Sequence, residues 1–347
     1  MRQLFQRAIG AQQHGDYALA IQEYRATVKL QPDLLAAWIN LGVALVQAGR
    51  FPEAIESYRS ALALDPRNRQ VQFYLGLAYF KEGDTAHASR QFEEVLRLDP
   101  KDIRAATLLG ASYLQSGENA RALNVLAPLA GSASDNPDFL WSLGSALIAN
   151  GKLREGVDAV ERVARQSNAA EAWMVAGQNL LRLSEFVRAR DDLETAARLN
   201  PNLPGVQTSL GQAREKNADY QGAISAFRKG VEQNPRDEDA WLGLGSDQYF
   251  TRDLDGARAS LKQLLTIDSA SVPGLYALAL VEKSQEKTDR AVADLEQVVK
   301  MKPDWIEAHV ALAALYFQLH KPAEGARERQ IVDRLSEQEQ KAGPTPR

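Results

Sequence analysis

Prolines close a recurring amphipathic segment at Pro32, Pro66 and Pro100, each 34 residues after the last, and again at Pro201, Pro235 and Pro303, where the final gap is two periods. The segments before the first three are versions of one another: YALAIQEYRATVKLQP, FPEAIESYRSALALDP and TAHASRQFEEVLRLDP. A unit this short cannot bury a core alone, so a fixed period of this kind requires each unit to stack on its neighbours. Pro100 and Pro201 are 101 residues apart, one short of three periods. Placing that deletion in ARQSNAAEAW (164–173) divides the chain into ten units: 1–34, 35–68, 69–102, 103–136, 137–169, 170–203, 204–237, 238–271, 272–305 and 306–337.

Numbering positions within each unit makes the packing legible. Position 8 is Ala8, Gly42, Gly76, Gly110, Gly144, Gly177, Gly211, Gly245, Ala279 and Ala313; position 20 is Ala20, Ala54, Ala88, Ala122, Gly156, Ala189, Ala223, Ala257, Ala291 and Gly325. Glycine inside a helix costs about 1 kcal/mol, and close approach of two helix backbones is a reason to accept it. Leucine recurs at position 7 and a large apolar residue at position 24, with apolar spacings of three and four along both halves of every unit. The intervening turn is polar and often carries glycine at position 15, as at Gly15, Gly49, Gly83, Gly117 and Gly151. Each unit therefore reads as helix, tight turn, helix and exit.

WINLGVAL (38–45), followed by Ala54, Tyr58, Ala61 and Pro66, resembles the tetratricopeptide repeat, whose signature over 34 residues is W-x2-L-G-x2-Y, A-x3-F and P. Trp173 and Trp241 recur at the same position 4 as Trp38. The resemblance implies an all-α fold, a right-handed α-solenoid of ten helix pairs in which the first helix of each pair lines a concave channel. The segment 322–340 is long, charged and apolar on one stripe, Ala323, Ala326, Ile331, Val332 and Leu335, and reads as a cap on the last unit; residues 341–347 read as a disordered tail. At the start, Arg7 replaces the position-7 leucine, so the first unit is either a cap or the continuation of a longer array.

In the family, positions 2, 5, 6, 9, 12 and 13 of the first helix face the groove. The residues expected there as partner contacts are Phe5, Ile39, Asn40, Val43, Phe73, Tyr74, Leu77, Phe80, Leu108, Trp141, Met174, Tyr249, Phe250, Tyr276 and Phe317. Such an apolar and aromatic lining suits a partner surface. The competing reading is that positions 5, 9 and 12 pack against the next unit's first helix. The family's carboxylate clamp for chaperone tails is matched at Asn40 only, because Phe5, Ile9, Gln70 and Tyr74 stand where lysines, an asparagine and an arginine would be needed.

Other function classes find little support. Forty-one basic against 45 acidic residues leave a net charge of −4, so nucleic acid is not an expected partner. There is no cysteine, and His14, His87, His309 and His320 lie far apart in repeat phase, so no catalytic, metal or cofactor site is expected. His309, at position 4, reads as a satisfied core histidine. MRQLFQRAIGAQQHG has no apolar leader and no long uncharged run follows, which favours a cytoplasmic chain without membrane insertion, or a periplasmic or secreted one if a leader has been trimmed. The expected function is a non-enzymatic scaffold holding a peptide or helix of another protein in its groove. The alternative is an accessory subunit or detached domain of a glycosyltransferase or polysaccharide export system, since aromatic linings also stack on sugars.

Overall fold

The computed structural model describes residues 2–342, and among them it contains twenty α-helices and no strand. Two compact units divide at residues 172 and 173. The first holds α1 (Arg2–Gln13) with α2 (Tyr17–Leu30), α3 (Leu35–Gln47) with α4 (Phe51–Leu64), α5 (Arg69–Glu82) with α6 (Thr85–Leu98), α7 (Ile103–Gln115) with α8 (Asn119–Leu126), and α9 (Pro137–Ala149) with α10 (Leu153–Ser167). The second holds α11 (Ala170–Arg182), whose first turn spans the division, with α12 (Phe186–Leu199), then α13 (Val206–Lys216) with α14 (Tyr220–Gln233) and α15 (Glu238–Phe250) with α16 (Leu254–Ile267). It ends with α17 (Val272–Ser284) paired to α18 (Thr288–Met301) and α19 (Ile306–Gln318) paired to α20 (Pro322–Ala342). Each of the ten sequence units thus contains one helix pair. Within each unit of the fold, the second helix of a pair also packs on the first helix of the next.

Inside a pair the small residue at position 8 faces the large residue at position 24. A Cβ on Gly42 would lie 2.4 Å from the Tyr58 ring, one on Gly76 2.8 Å from Phe92, and one on Gly211 2.6 Å from Phe227. Gly110, Gly144, Gly177 and Gly245 meet Leu126, Val160, Leu193 and Leu261 in the same way. Distances this short leave no room for a methyl group unless the ring moves, and overpacking of this sort costs about 1–3 kcal/mol. Position 20 closes the other side: every alanine there is fully buried, and a Cβ on Gly156 would reach 2.6 Å from Ile148.

Between pairs, polar bonds recur at fixed spacing. The position-4 side chain reaches back six residues to a proline carbonyl: Trp38 Nε1 donates to Pro32 O at 2.8 Å, Gln72 Nε2 to Pro66 O at 3.2 Å and Trp241 Nε1 to Pro235 O at 3.0 Å. His309 is buried, with Nε2 3.0 Å from Pro303 O and Nδ1 against Glu328, so both ring nitrogens are engaged within the core. Where the one-residue deletion falls no proline precedes the helix, and Trp173 buries its Nε1 without a partner. Position 11 bonds to position 25 of the preceding repeat: Arg59 Nη2 donates to the Tyr79 hydroxyl at 2.7 Å, Tyr113 donates to Glu93, and Tyr316 donates to Glu296 at 2.6 Å.

Two stretches depart from the regular pair. In the fourth repeat α8 has eight residues and gives way to a 3₁₀ turn at Ala127–Leu129, because Pro128 lacks the N–H that would continue the helix. At the C-terminus α20 packs on α19 through buried Gly325, above which lies Phe317. Ile331, Val332 and Leu335 of the expected stripe are half-buried, whereas Ala323 and Ala326 are exposed. Lys341 and Ala342, expected in the disordered tail, complete α20, and 343–347 lie outside the described residues.

The turn inside every repeat puts position 15 in the left-handed region. In the first five repeats glycine occupies it, with φ between 72° at Gly49 and 90° at Gly83. In the last five the same conformation is held by Ser184 (φ 60°), Ala218 (60°), Arg252 (68°), Glu286 (60°) and His320 (59°). An L side chain there costs about 1–2 kcal/mol. Ala218→Gly should therefore raise the unfolding free energy by about 1 kcal/mol, and Gly49→Ala should lower it by a similar amount. Urea titrations of the two variants check this, and equal effects of one sign would refute it.

The core of the second unit carries carboxyls that the repeat does not need. Asp247 is 1% exposed, and neither of its oxygens has a hydrogen-bond partner. Burial, reinforced by Glu215 and opposed by Lys216, pushes its pKa from 3.8 up to about 7. Asp294, beside Glu282, is likewise raised by burial to about 6. A folded carboxyl that keeps its proton to about 7, where the unfolded one loses it near 3.8, makes the folded state the stronger proton binder. Stability should then fall as pH rises through that window and level off above it. Alanine is the residue at this position in Ala44, Ala78, Ala146 and Ala213. Asp247→Ala should raise stability at pH 8 by about 1–3 kcal/mol and change it little at pH 4, as read from denaturant midpoints at the two values.

Candidate functional site

With one face of each first helix committed to the position 8–24 contact, positions 2, 5, 6, 9, 12 and 13 are left to line the junction between successive first helices. Three such junctions open into clefts, and they occupy the same place in the repeat. The floor comes from positions 5, 6 and 9 of one first helix, a wall from position 12 of the preceding one, and the lip from positions 2 and 34.

In the first unit the cleft lies over α7, between α5 and α9, and encloses about 420 Å³. Phe73 and Phe80 form one wall, Thr107, Leu108 and Ala111 the floor, and Trp141 with Ser142 the far side. Trp141 is 37% exposed, the most accessible aromatic of the group, whereas Phe73 is half-buried against the core ring of Phe92, 5.8 Å between centroids. The Arg104 guanidinium lies over Phe73 at 5.0 Å and brings a positive charge to the rim, with Asn136 and Asp138 completing the lip.

In the second unit two clefts lie along the same register. Over α13 a polar one of about 420 Å³ is lined by Gln178, Leu181, Arg182, Thr208, Ser209, Gln212, Asp237 and Asp239. Its side chains are already tied together: Gln178 Nε2 donates to Ser209 Oγ at 2.9 Å, Thr208 Oγ1 to Asp237 Oδ2 at 2.7 Å, and Arg182 Nη1 to Asn179 Oδ1 at 2.9 Å. Helix α13 starts late, at Val206, because Pro204 and Gly205 replace its first residues and Gly205 takes φ 78°. The third cleft, about 380 Å³ over α17, is apolar: Leu242, Tyr249, Phe250, Tyr276, Leu280 and Trp305 line it, and no charged side chain does. The Tyr276 and Trp305 rings lie 4.5 Å apart, tilted by 37°, and burial raises the Tyr276 pKa. Phe250 is 65% exposed and stacks on Tyr220 at 5.2 Å.

Of the residues expected to meet a partner, Phe73, Phe80, Leu108 and Trp141 come together in the first cleft and Tyr249, Phe250 and Tyr276 in the third. The others line none of the three. Ile39, Val43 and Leu77 are half-buried against the core, Phe5 meets Tyr24 edge-on at 5.9 Å, and Tyr74 lies 5.9 Å from the buried Tyr58. Asn40 and Met174 are half-buried, and Phe317 sits beneath the Arg329 guanidinium at 5.3 Å. Arg104, Leu242, Trp305 and the polar side chains of the α13 cleft were not expected from the sequence. Trp305 stands at position 34, outside the first helix, and the polar lining disappears when only apolar residues are sought; reading every residue at positions 2, 5, 9 and 34 exposes both.

Comparison with known proteins places this geometry in a family. Models described as tetratricopeptide repeat match residues 5–69, 107–168, 142–204 and 208–272, with further matches at 45–112 and 272–304. Among curated proteins the chain is similar to superkiller protein 3 of Schizosaccharomyces pombe, 24% identical over 48% of this chain and 11% of that one. It is also similar to the heat-shock protein cognate co-chaperone sgt12 of Aspergillus fumigatus, 29% identical over 39% of this chain and 38% of that one. The chain therefore spans well under half the length of either. Solved structures that resemble it include Cut9 with Hcn1 from the APC/C (16% identity, 86% of this chain and 59% of that one, TM-score 0.49) and MamA (20%, 48% and 96%, 0.45). No helix among the described residues is long and apolar enough to cross a membrane. On the family models, whose matches run from residue 5 to residue 304, this chain is a member of the tetratricopeptide repeat family.

Proposed function

We propose that this chain is a non-enzymatic scaffold that holds a peptide or helical segment of a partner protein in the clefts between its first helices. The observation that carries this reading is the cleft over α7, where an accessible tryptophan stands across from Phe80 over an apolar floor. An apolar recess with one exposed aromatic and a charged rim is suited to receive an anchor side chain and orient its neighbours. The curated relatives include a heat-shock protein cognate co-chaperone, which favours a protein partner over a sugar polymer.

Trp141 tests the reading because its loss separates binding from packing. It is not among the partly buried residues packed against the core, unlike Phe73, Tyr74, Phe80 and Leu108. Trp141→Ala should move the melting temperature by no more than a few degrees while weakening the partner by about 2 kcal/mol or more, the loss of a hot-spot anchor. Thermal melts of the two proteins, and affinity purification with each followed by titration of whatever protein only the wild type retains, measure the two quantities. A partner held equally by both proteins would remove the α7 cleft from the site.

A further inference from the structure

The polar and apolar clefts of the second unit occupy the same register two repeats apart, one over α13 and the other over α17, with α15 touching both helices. Their chemistries are opposed at equivalent positions. Gln212 stands where Leu280 does at position 9, Thr208 where Tyr276 does at position 5 and Asp237 where Trp305 does at position 34, while position 12 carries a large side chain in both, Leu181 and Tyr249.

From this we infer that the second unit reads an extended partner segment at two points: a carboxamide side chain, asparagine or glutamine, in the α13 cleft, and a large aromatic or aliphatic side chain in the α17 cleft, about six residues away. The inference rests on the scaffold reading and specifies its partner. Packed helices lie about 8–10 Å apart, so two steps span roughly 20 Å, and an extended chain covers that in about six residues at about 3.3 Å each.

The preference for a neutral hydrogen-bonding group follows from how the charges are used. Asp237 accepts from Thr208 at 2.7 Å and caps α15 through Ala240 N at 3.0 Å, and Arg182 is bonded to Asn179. Gln178 gives its amide to Ser209, which leaves the Gln178 carbonyl as an acceptor. Together with Gln212 and the rim carboxylate of Asp239, the lining offers both donors and acceptors, which a carboxamide answers from one group. An apolar residue placed there leaves these groups unsatisfied and is rejected. In the α17 cleft the absence of any charged lining residue makes the reverse selection.

The test is selection of a phage-displayed random dodecapeptide library on the full chain, repeated on Gln212→Leu, which installs the residue of the apolar cleft, and on Tyr276→Ser. Both variants are compared with wild type by circular dichroism so that only folded protein is panned. Wild type should enrich peptides with asparagine or glutamine five to seven residues from an aromatic or long aliphatic residue. Gln212→Leu should lose the carboxamide preference, keep the apolar one and bind the wild-type winners about tenfold more weakly; Tyr276→Ser should do the opposite. Enriched peptides without that spacing, or with the same preferences on both variants, would overturn the two-point inference while leaving peptide capture standing. No enrichment over an unrelated helical protein would overturn both for this unit.

Discussion

A glycine or alanine at position 8 lying under a ring or branched side chain at position 24 is the contact on which the rest of the molecule depends. It sets the distance between the two helices of a pair, and the fully buried alanines at position 20 keep that distance from the other side. Every other contact presupposes it. Phe227 shows how the constraint is passed on: its ring fills the space over Gly211 within its own pair and the space over Gly243 in the next, where an added Cβ would lie 2.4 Å away. One side chain thus fixes both the pair and the stacking step, as nearest-neighbour architectures require.

Committing one face of each first helix to this contact determines where function can reside. The opposite face carries no such demand, so its residues vary from repeat to repeat while the backbone repeats. Three junctions in the same register consequently differ as much as an aromatic recess with an arginine at its rim, a polar cleft and an uncharged aromatic cleft. What distinguishes one junction from the next is which side chains occupy a few positions on a repeating frame.

The two units satisfy the same backbone with different side chains. Five glycines serve the left-handed turn residue in the first, and five residues with a Cβ serve it in the second. The second unit also buries Asp247 at a position where four other repeats have alanine, and it sets half-buried Asp294 beside buried Glu282. These are local costs carried by a fold whose stacking contacts are otherwise preserved, and the raised carboxyl pKa values make the stability of the second unit depend on pH.

The sequence by itself determined the period, the ten helix pairs, the small-residue positions and the placing of the irregular unit at 164–173, because each follows from chain-local chemistry: helical spacing, proline exits and glycine turns leave marks in one dimension. It also marked Trp141, Tyr249 and Tyr276, since aromatics at groove positions stand out in any listing by phase. Tertiary structure alone decided which of the fifteen expected contacts face solvent together. Phe73 and Tyr74 are neighbours on α5, yet the first walls a cleft and the second leans on Tyr58, because one residue along a helix turns the side chain by about 100°. Trp305 joins Tyr276 across 29 residues of chain, and Asp237 meets Thr208 from the far end of the same repeat. Such meetings depend on the stacking distance between repeats, which no single stretch of sequence encodes.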